Sequence, residues 1–265
     1  MEFEFISSQQ NPKIKLLNEL YQSKGRKKHK LFIAEGNREI SIAIKSGYIP
    51  HLIFISQDYF KKHNALPFEV TANNNICFQV ESKLFSKISY REDTEGIIAV
   101  FNWKEHGLLD LNITDNPLFI IVESVEKPGN LGAILRTADA AKVDGVIVCN
   151  PVIDLYNPNV VRSSIGCIFS VPVAIANTSD AIAWLKHNNI KTYAAALQNA
   201  DYYHLYDYTQ PTAIVFGTEA DGLSDEWIEN ADYIVKIPML GTIDSLNVSN
   251  AVAIMTFEAK RQRGF

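Results

Sequence analysis

Three short polar clusters hold most of the side chains in this sequence that could do chemistry. The first runs Asn130-Leu131-Gly132-Ala133-Ile134-Leu135-Arg136, the second Gly217-Thr218-Glu219-Ala220-Asp221-Gly222, and the third Ser245-Leu246-Asn247. Each follows an apolar run of strand type and leads toward a helical pattern. In α/β proteins such places bind ligands, because unpaired backbone N–H groups converge at strand ends and helix starts. Together the clusters offer a fixed cation, a carboxylate, a hydroxyl and amides, a set suited to holding a polar ligand. Each residue also has an ordinary structural duty open to it. Asn130 or Ser245 can cap a helix, Arg136 can be an exposed helical residue, and Gly217 with Gly222 can form a turn.

Several chemistries are excluded. Gly129-Asn130-Leu131-Gly132 has neither the dinucleotide fingerprint nor the Gly-Lys-Ser/Thr of a phosphate loop. The six histidines are scattered, and no His or Cys pair has metal-ligand spacing, so no metal is expected. Ser163-Ser164-Ile165-Gly166 is not a nucleophile elbow. Cys77, Cys149 and Cys167 read as reduced, buried thiols of a cytoplasmic protein. No apolar run reaches membrane-spanning length, and Met1-Glu2-Phe3-Glu4-Phe5 is unlike a signal peptide.

The elements that must position the clusters can be read from periodicity. A chain of 265 residues, 47% hydrophobic and 21% charged, suits two globular α/β domains. Residues 1–105 read as the first: an amphipathic helix over 11–22, strands at 31–34, 51–56, 76–80 and 96–101, and helices after Glu35 and over 81–88. Residues 106–116 read as a linker. Residues 117–265 read as the second domain, opening with the buried-type strand Leu118 to Val122. A helix carrying Leu131, Ile134, Leu135 and Ala138 and a strand at 145–149 complete a βαβ unit. Helices at 159–168 and 179–187, strands at 191–197, 213–216 and 232–237, and a helix carrying Val248, Ala251, Val252 and Met255 follow. Net charge is −5, but residues 1–105 hold 15 Lys and Arg against 12 Asp and Glu, whereas residues 106–265 hold 10 against 18. Seven of the basic residues lie between Lys13 and Lys30, opposed only by Glu19. That run reads as a solvated face or as the footprint of a polyanion.

The order and wording of the clusters resemble the SpoU/TrmH family of RNA ribose 2′-O-methyltransferases, within the SPOUT superfamily. Lys127-Pro-Gly-Asn-Leu-Gly-Ala-Ile-Leu-Arg-Thr-Ala-Asp-Ala-Ala141 is similar to the family's first motif and Phe216-Gly-Thr-Glu-Ala-Asp-Gly-Leu223 to its second. Ile237-Pro-Met with Ser245-Leu-Asn-Val-Ser249 is similar to its third. Arg162-Ser-Ser-Ile-Gly166 matches a segment between them, and Asn11-Pro-Lys-Ile-Lys15 and Phe32-Ile-Ala-Glu-Gly36 resemble an N-terminal RNA-binding domain related to ribosomal proteins. The resemblance implies a deep trefoil knot around Ser245–Asn247, S-adenosylmethionine bound in it, and a homodimer whose active site draws on both subunits. It implies that Gly217, Ile237, Met239, Leu246 and Ala195, with Ser245 and Asn247, hold the cofactor. It assigns Arg136, Asn130, Glu219, Ser245 and Asn247 to catalysis, with Glu219 and Asn130 orienting Arg136. Lys24, Arg26, Lys27, Lys28, Lys30, Arg38 and Arg162 are the expected RNA contacts, on ribosomal RNA (23S favoured) ahead of transfer RNA. Asn250 departs from the small apolar residue common there. A non-catalytic RNA-binding or ribosome-assembly protein of the same fold is the alternative from another class.

Overall fold

The computed structural model describes residues 3–63, 76–90, 95–218 and 221–265. The chain falls into two compact units that do not follow the single cut expected at 106–116. The first is Met1–Glu105 with Asp154–Ser170; the second is His106–Ile153 with Val171–Phe265.

In the first unit the elements are β1 (Glu4–Ile6), α1 (Pro12–Leu20), α2 (Ser23–His29), β2 (Leu31–Glu35), α3 (Asn37–Lys45), β3 (Pro50–Ser56), α4 (Gln57–His63), β4 (Cys77–Val80), α5 (Ser82–Ile88) and β5 (Ile97–Asn102). The strands form a mixed sheet in the order β1-β4-β3-β5-β2, parallel among β1, β4 and β3 and antiparallel on both sides of β5. Helix α1 starts where Asn11 accepts from Lys13 N at 2.9 Å with Pro12 in the first turn, and Ile14, Leu17 and Leu20 bury its inner face. The charged stretch 23–30, expected to be wholly exposed, is instead a helix that buries Gly25 and Arg26.

Residues Asp154–Ser170 join this unit for visible reasons. Arg26 grips Asp154 through two bonds, Nε to Oδ1 at 3.0 Å and Nη2 to Oδ2 at 2.6 Å, with both side chains nearly water-free. The Phe32 ring stacks on Tyr156 at 4.1 Å and lies 5.6 Å from Phe169. The helix expected over 159–168 is broken in two. Ile165 (φ 54°) and Gly166 (φ 84°) take left-handed conformations between Pro158–Ser163 and Cys167–Ser170.

The second unit is built on β6 (Leu118–Glu123), α6 (Pro128–Ala140), β7 (Gly145–Cys149), then, after Pro158–Ser163 (α7) and Cys167–Ser170 (α8), β8 (Val173–Ala176), α9 (Thr178–His187), β9 (Lys191–Ala195), β10 (Asp201–Tyr202), β11 (Thr212–Phe216), α10 (Asp225–Asn230), β12 (Tyr233–Lys236) and α11 (Val248–Arg263). Its seven strands are all parallel, in the order β10-β12-β9-β11-β6-β7-β8. The central strands are apolar at nearly every position because a parallel sheet is covered on both faces. One face packs Ala181, Leu185 and Trp227 against Phe119, Ile121 and Val215; α6 and α11 pack against one another and α11 also contacts β11. Strands β8 and β10 and helix α10 go beyond the elements expected from periodicity. Residues 106–116 pack on this unit rather than hang as a linker. His106 O accepts from Ile175 N at 2.9 Å, and Leu111 is buried.

Candidate active site

Strands β6 and β11 lie side by side, with Val122 opposite Phe216. After β6 the chain goes to β7, the neighbour on one side; after β11 it goes to β12, on the other side beyond β9. Diverging connections pull the two following loops apart and open a crevice at the carboxyl ends of the strands. A cleft of about 220 Å³ lies there, lined by Val125, Glu126, Lys127, Asn130, Gly217, Thr218 and Val248.

One wall follows β6, where Ser124 (φ 52°) turns the chain and Pro128 starts α6. Asn130 sits in the first turn of that helix, half-buried. The second wall is a pinched loop. Thr218 N donates to Gly222 O at 2.9 Å, and Asp221 N donates to Thr218 Oγ1 at 2.9 Å. A Cβ on Gly217 would overlap the Gly222 carbonyl, so only glycine lets the two strands of the loop approach this closely. The third wall is the start of α11. Asn247 caps it, accepting on Oδ1 from Ser249 N at 3.0 Å, while its Nδ2 donates to Asn130 Oδ1 at 3.2 Å. The cap is therefore Asn247 rather than Ser245, whose exposed hydroxyl donates to Asp244 Oδ1 at 3.2 Å.

A residue that sequence reading missed ties two walls together. Glu123, at the end of β6, is buried and accepts from Ser224 N and Ser224 Oγ, each at 2.9 Å, and from Thr178 Oγ1 at 2.6 Å. Ser224 closes the loop that begins at Gly217, so the carboxylate fixes that loop to the floor of the first wall. The signal was a glutamate ending an otherwise apolar strand, since a buried charge needs such partners.

The structure brings Asn130, Gly217 and Asn247 together. Ala195 lies opposite both Phe216 and Val235, so Ala195, Gly217 and Ile237 follow one another across the ends of three adjacent strands. Ile237, Met239 and Leu246 are half-buried, and none of these three, nor Ala195 or Ser245, lines the cleft itself. Arg136 is not brought in. It is exposed on α6 and, six residues beyond Asn130, points about 120° away around the helix. Its side chain has no ion pair or hydrogen bond among the described residues, so Asn130 does not orient it within one chain. Glu219 lies outside the described residues. Of the expected RNA contacts, Lys24, Lys27, Lys28, Lys30, Arg38 and Arg162 are exposed. Arg26 is not, being 1% exposed and spent on Asp154. Among the described residues there is no group of His, Cys, Asp and Glu that could hold a metal ion, and no helix long and apolar enough to cross a membrane.

Comparison with known proteins fits this geometry. Residues 117–257 match the SpoU rRNA Methylase family, and residues 11–99 match the MRM3-like substrate binding domain. The chain is 29% identical to the Bacillus subtilis 23S rRNA (guanosine(2553)-2′-O)-methyltransferase RlmP, over 96% of this chain and 98% of that protein. It is 42% identical to a Thermus thermophilus tRNA (guanosine(18)-2′-O)-methyltransferase, over only 55% of this chain and 75% of that one. An AdoMet-bound rRNA methyltransferase of Sinorhizobium meliloti superposes with a TM-score of 0.88 at 30% identity, covering 97% of each chain. With its cleft at the strand divergence and its three motifs meeting there, the chain belongs to the SpoU rRNA Methylase family.

Proposed function

We propose that this protein transfers a methyl group from S-adenosylmethionine to a ribose 2′-hydroxyl of RNA, with 23S ribosomal RNA as the target class. The observation that carries the reading is that Asn130 and Gly217 line one cleft at the divergence of β6 and β11, with Asn247 bonded to Asn130. Ribosomal RNA is favoured over transfer RNA because the rRNA relatives match nearly the whole chain, including the substrate-binding part, whereas the tRNA enzyme matches about half.

The residues fit the cofactor. Gly217 exposes backbone in a place no side chain could occupy, and Ala195 at the end of β9 and Ile237, Met239 and Leu246 after β12 are half-buried apolar residues. S-adenosylmethionine supplies an electrophilic methyl on a sulfonium. The chain must align the ribose hydroxyl and ease the loss of its proton. Asn130 presents its amide at the cleft and is held by the Asn247 amide, with Ser245 ordering the adjoining loop. A guanidinium holds its proton in proteins, so Arg136 serves as a phosphate clamp and polariser of the hydroxyl. Being turned away from its own cleft, Arg136 acts in the cleft of a second subunit. Ile254 and Phe257, exposed on α11, support such a homodimer. The knot is supported by the path of 237–247, which leaves β12, separated from β6 by β9 and β11, and returns to bond Asn130 at the start of α6.

The test is methyl transfer from labelled S-adenosylmethionine to total RNA from cells lacking this protein, followed by mapping of ribose methylation. Label at one ribose, lost in Arg136→Ala with cofactor binding retained, is the expected result. Absence of both label and cofactor binding would overturn the reading in favour of a non-catalytic RNA binder.

A further inference from the structure

A pre-stacked, exposed tyrosine stands on the first unit. Tyr90 is 47% exposed, and its ring stacks on that of Tyr21 with centroids 5.8 Å apart and planes at 20°. The pair is anchored from below. Buried Glu35 accepts from the Tyr21 hydroxyl at 2.6 Å and from the Tyr90 backbone N–H at 2.8 Å, and the same hydroxyl lies 2.6 Å from the Ile88 carbonyl. Burial and the Glu35 charge both raise the Tyr21 hydroxyl's pKa, which keeps it a donor. A ring held at its backbone and on one face loses little freedom when a ligand covers the other face.

The hollow beside it is lined by Ile33, Glu35, Tyr90, Pro158, Val161 and Arg162. At about 10 Å³ it holds no more than one water, so no ligand ring enters it, and whatever binds must lie over Tyr90. Arg162 is exposed at the rim. It comes from the part of the sequence that belongs to the methyltransferase match, yet its segment packs with the first unit through Asp154 and Tyr156. An open aromatic face with an arginine beside it suits an unpaired nucleotide, whose base stacks and whose phosphate pairs with the guanidinium. The exposed Lys24 and Lys27 on the same unit favour that polyanion over an apolar protein segment.

We propose that Tyr90 and Arg162 form a platform for one unpaired nucleotide of the substrate RNA, the base on Tyr90 and the neighbouring phosphate on Arg162. The platform rests on the RNA reading above and narrows it: the substrate presents a single-stranded nucleotide to the first unit, not continuous duplex. The test measures binding of a short labelled single-stranded RNA and of its duplex to the full chain by anisotropy across a salt series, with S-adenosylmethionine binding followed by calorimetry. Tyr90→Ala is expected to weaken single-strand binding about tenfold with the salt slope unchanged, and Tyr90→Phe to restore it. Arg162→Ala is expected to lower the salt slope by about one. Cofactor binding is expected to stay as in the parent chain. A parent chain that binds RNA while Tyr90→Ala binds it equally well overturns the platform alone. A parent chain that binds neither RNA form overturns the RNA reading and the platform with it.

Discussion

Among single residues, Gly217 and Arg26 carry the clearest consequences. At Gly217 the backbone of the loop touches itself across Gly222, so Gly217→Ala must push the loop open. The expected outcome is loss of S-adenosylmethionine binding by calorimetry, together with about 1–3 kcal/mol of destabilisation from overpacking in a denaturant titration. Arg26 belongs to stability rather than to RNA. Its guanidinium donates to Leu20 O at 2.8 Å and Tyr21 O at 3.0 Å in addition to the two bonds to Asp154. Arg26→Leu leaves Asp154 charged and buried, and is expected to cost about 3–5 kcal/mol in urea unfolding. Adding Asp154→Leu should recover most of that loss, because the unpaired charge, not the lost attraction, dominates the penalty. A double variant as unstable as the single one would contradict this account.

At the scale of elements, α11 depends on its cap and the parallel sheet on its dryness. Asn247 satisfies the free N–H of Ser249 and at the same time holds Asn130. Asn247→Ala is therefore expected to cost about 1 kcal/mol of stability and, separately, to slow methyl transfer. Asn247→Ser should restore the first effect but not the second, since a hydroxyl caps a helix yet does not reach as an amide does. In the sheet, burial together with Glu123 and Glu226 pushes the Cys149 thiol up to about 12 from 9.0, and burial pushes Cys77 up to about 11. Folding thus favours the neutral thiols. Stability is intact below 9 and falls as pH rises beyond it, because the unfolded chain releases protons that the folded chain keeps. Urea midpoints are expected to drop as pH rises from about 9 to about 11, less so in Cys149→Ala, and native thiols should resist alkylation until the protein unfolds.

The whole molecule poses an electrostatic problem, since an overall charge of −5 must approach a polyanion. The basic segment of the first unit is smaller in effect than its count suggests. Arg26 is buried, Lys28 and His29 share Glu19 at 3.3 and 2.8 Å, and Lys30 pairs with Glu105 at 2.9 Å. Among the described residues Lys24 and Lys27 are exposed and carry no ion pair. The double variant Lys24→Ala/Lys27→Ala is therefore expected to flatten the salt dependence of RNA binding by about 1.4–1.8, whereas Lys30→Ala changes it less. Filter binding over a salt series measures both slopes, and equal effects from the two variants would contradict the assignment. Exposed pairs such as these contribute little to folding, so the same substitutions should leave the melting temperature nearly unmoved.

What the sequence determined by itself is local: strands whose apolar runs suit a parallel sheet, helices with 3.6-residue stripes, and three polar clusters each following a strand end. Those signals are carried by neighbouring residues, so Leu118–Val122, the helix after Pro128 and the helix after Asn247 could be read directly. The tertiary structure alone decided which of these residues meet. No local pattern tells Arg26 from the lysines around it, because its partner Asp154 lies 128 positions away. For the same reason periodicity assigns the segment 154–170 to the second domain, although its buried ion pair and stacked rings bind it to the first unit. Glu123 likewise gained its role only when Thr178 and Ser224 closed on it from distant parts of the chain. Arg136 shows the converse: its motif could be read in sequence, but helix geometry turns it away from the cleft that the other motif residues build. Periodicity sets what each segment can become, while desolvation and long-range pairing choose its partners.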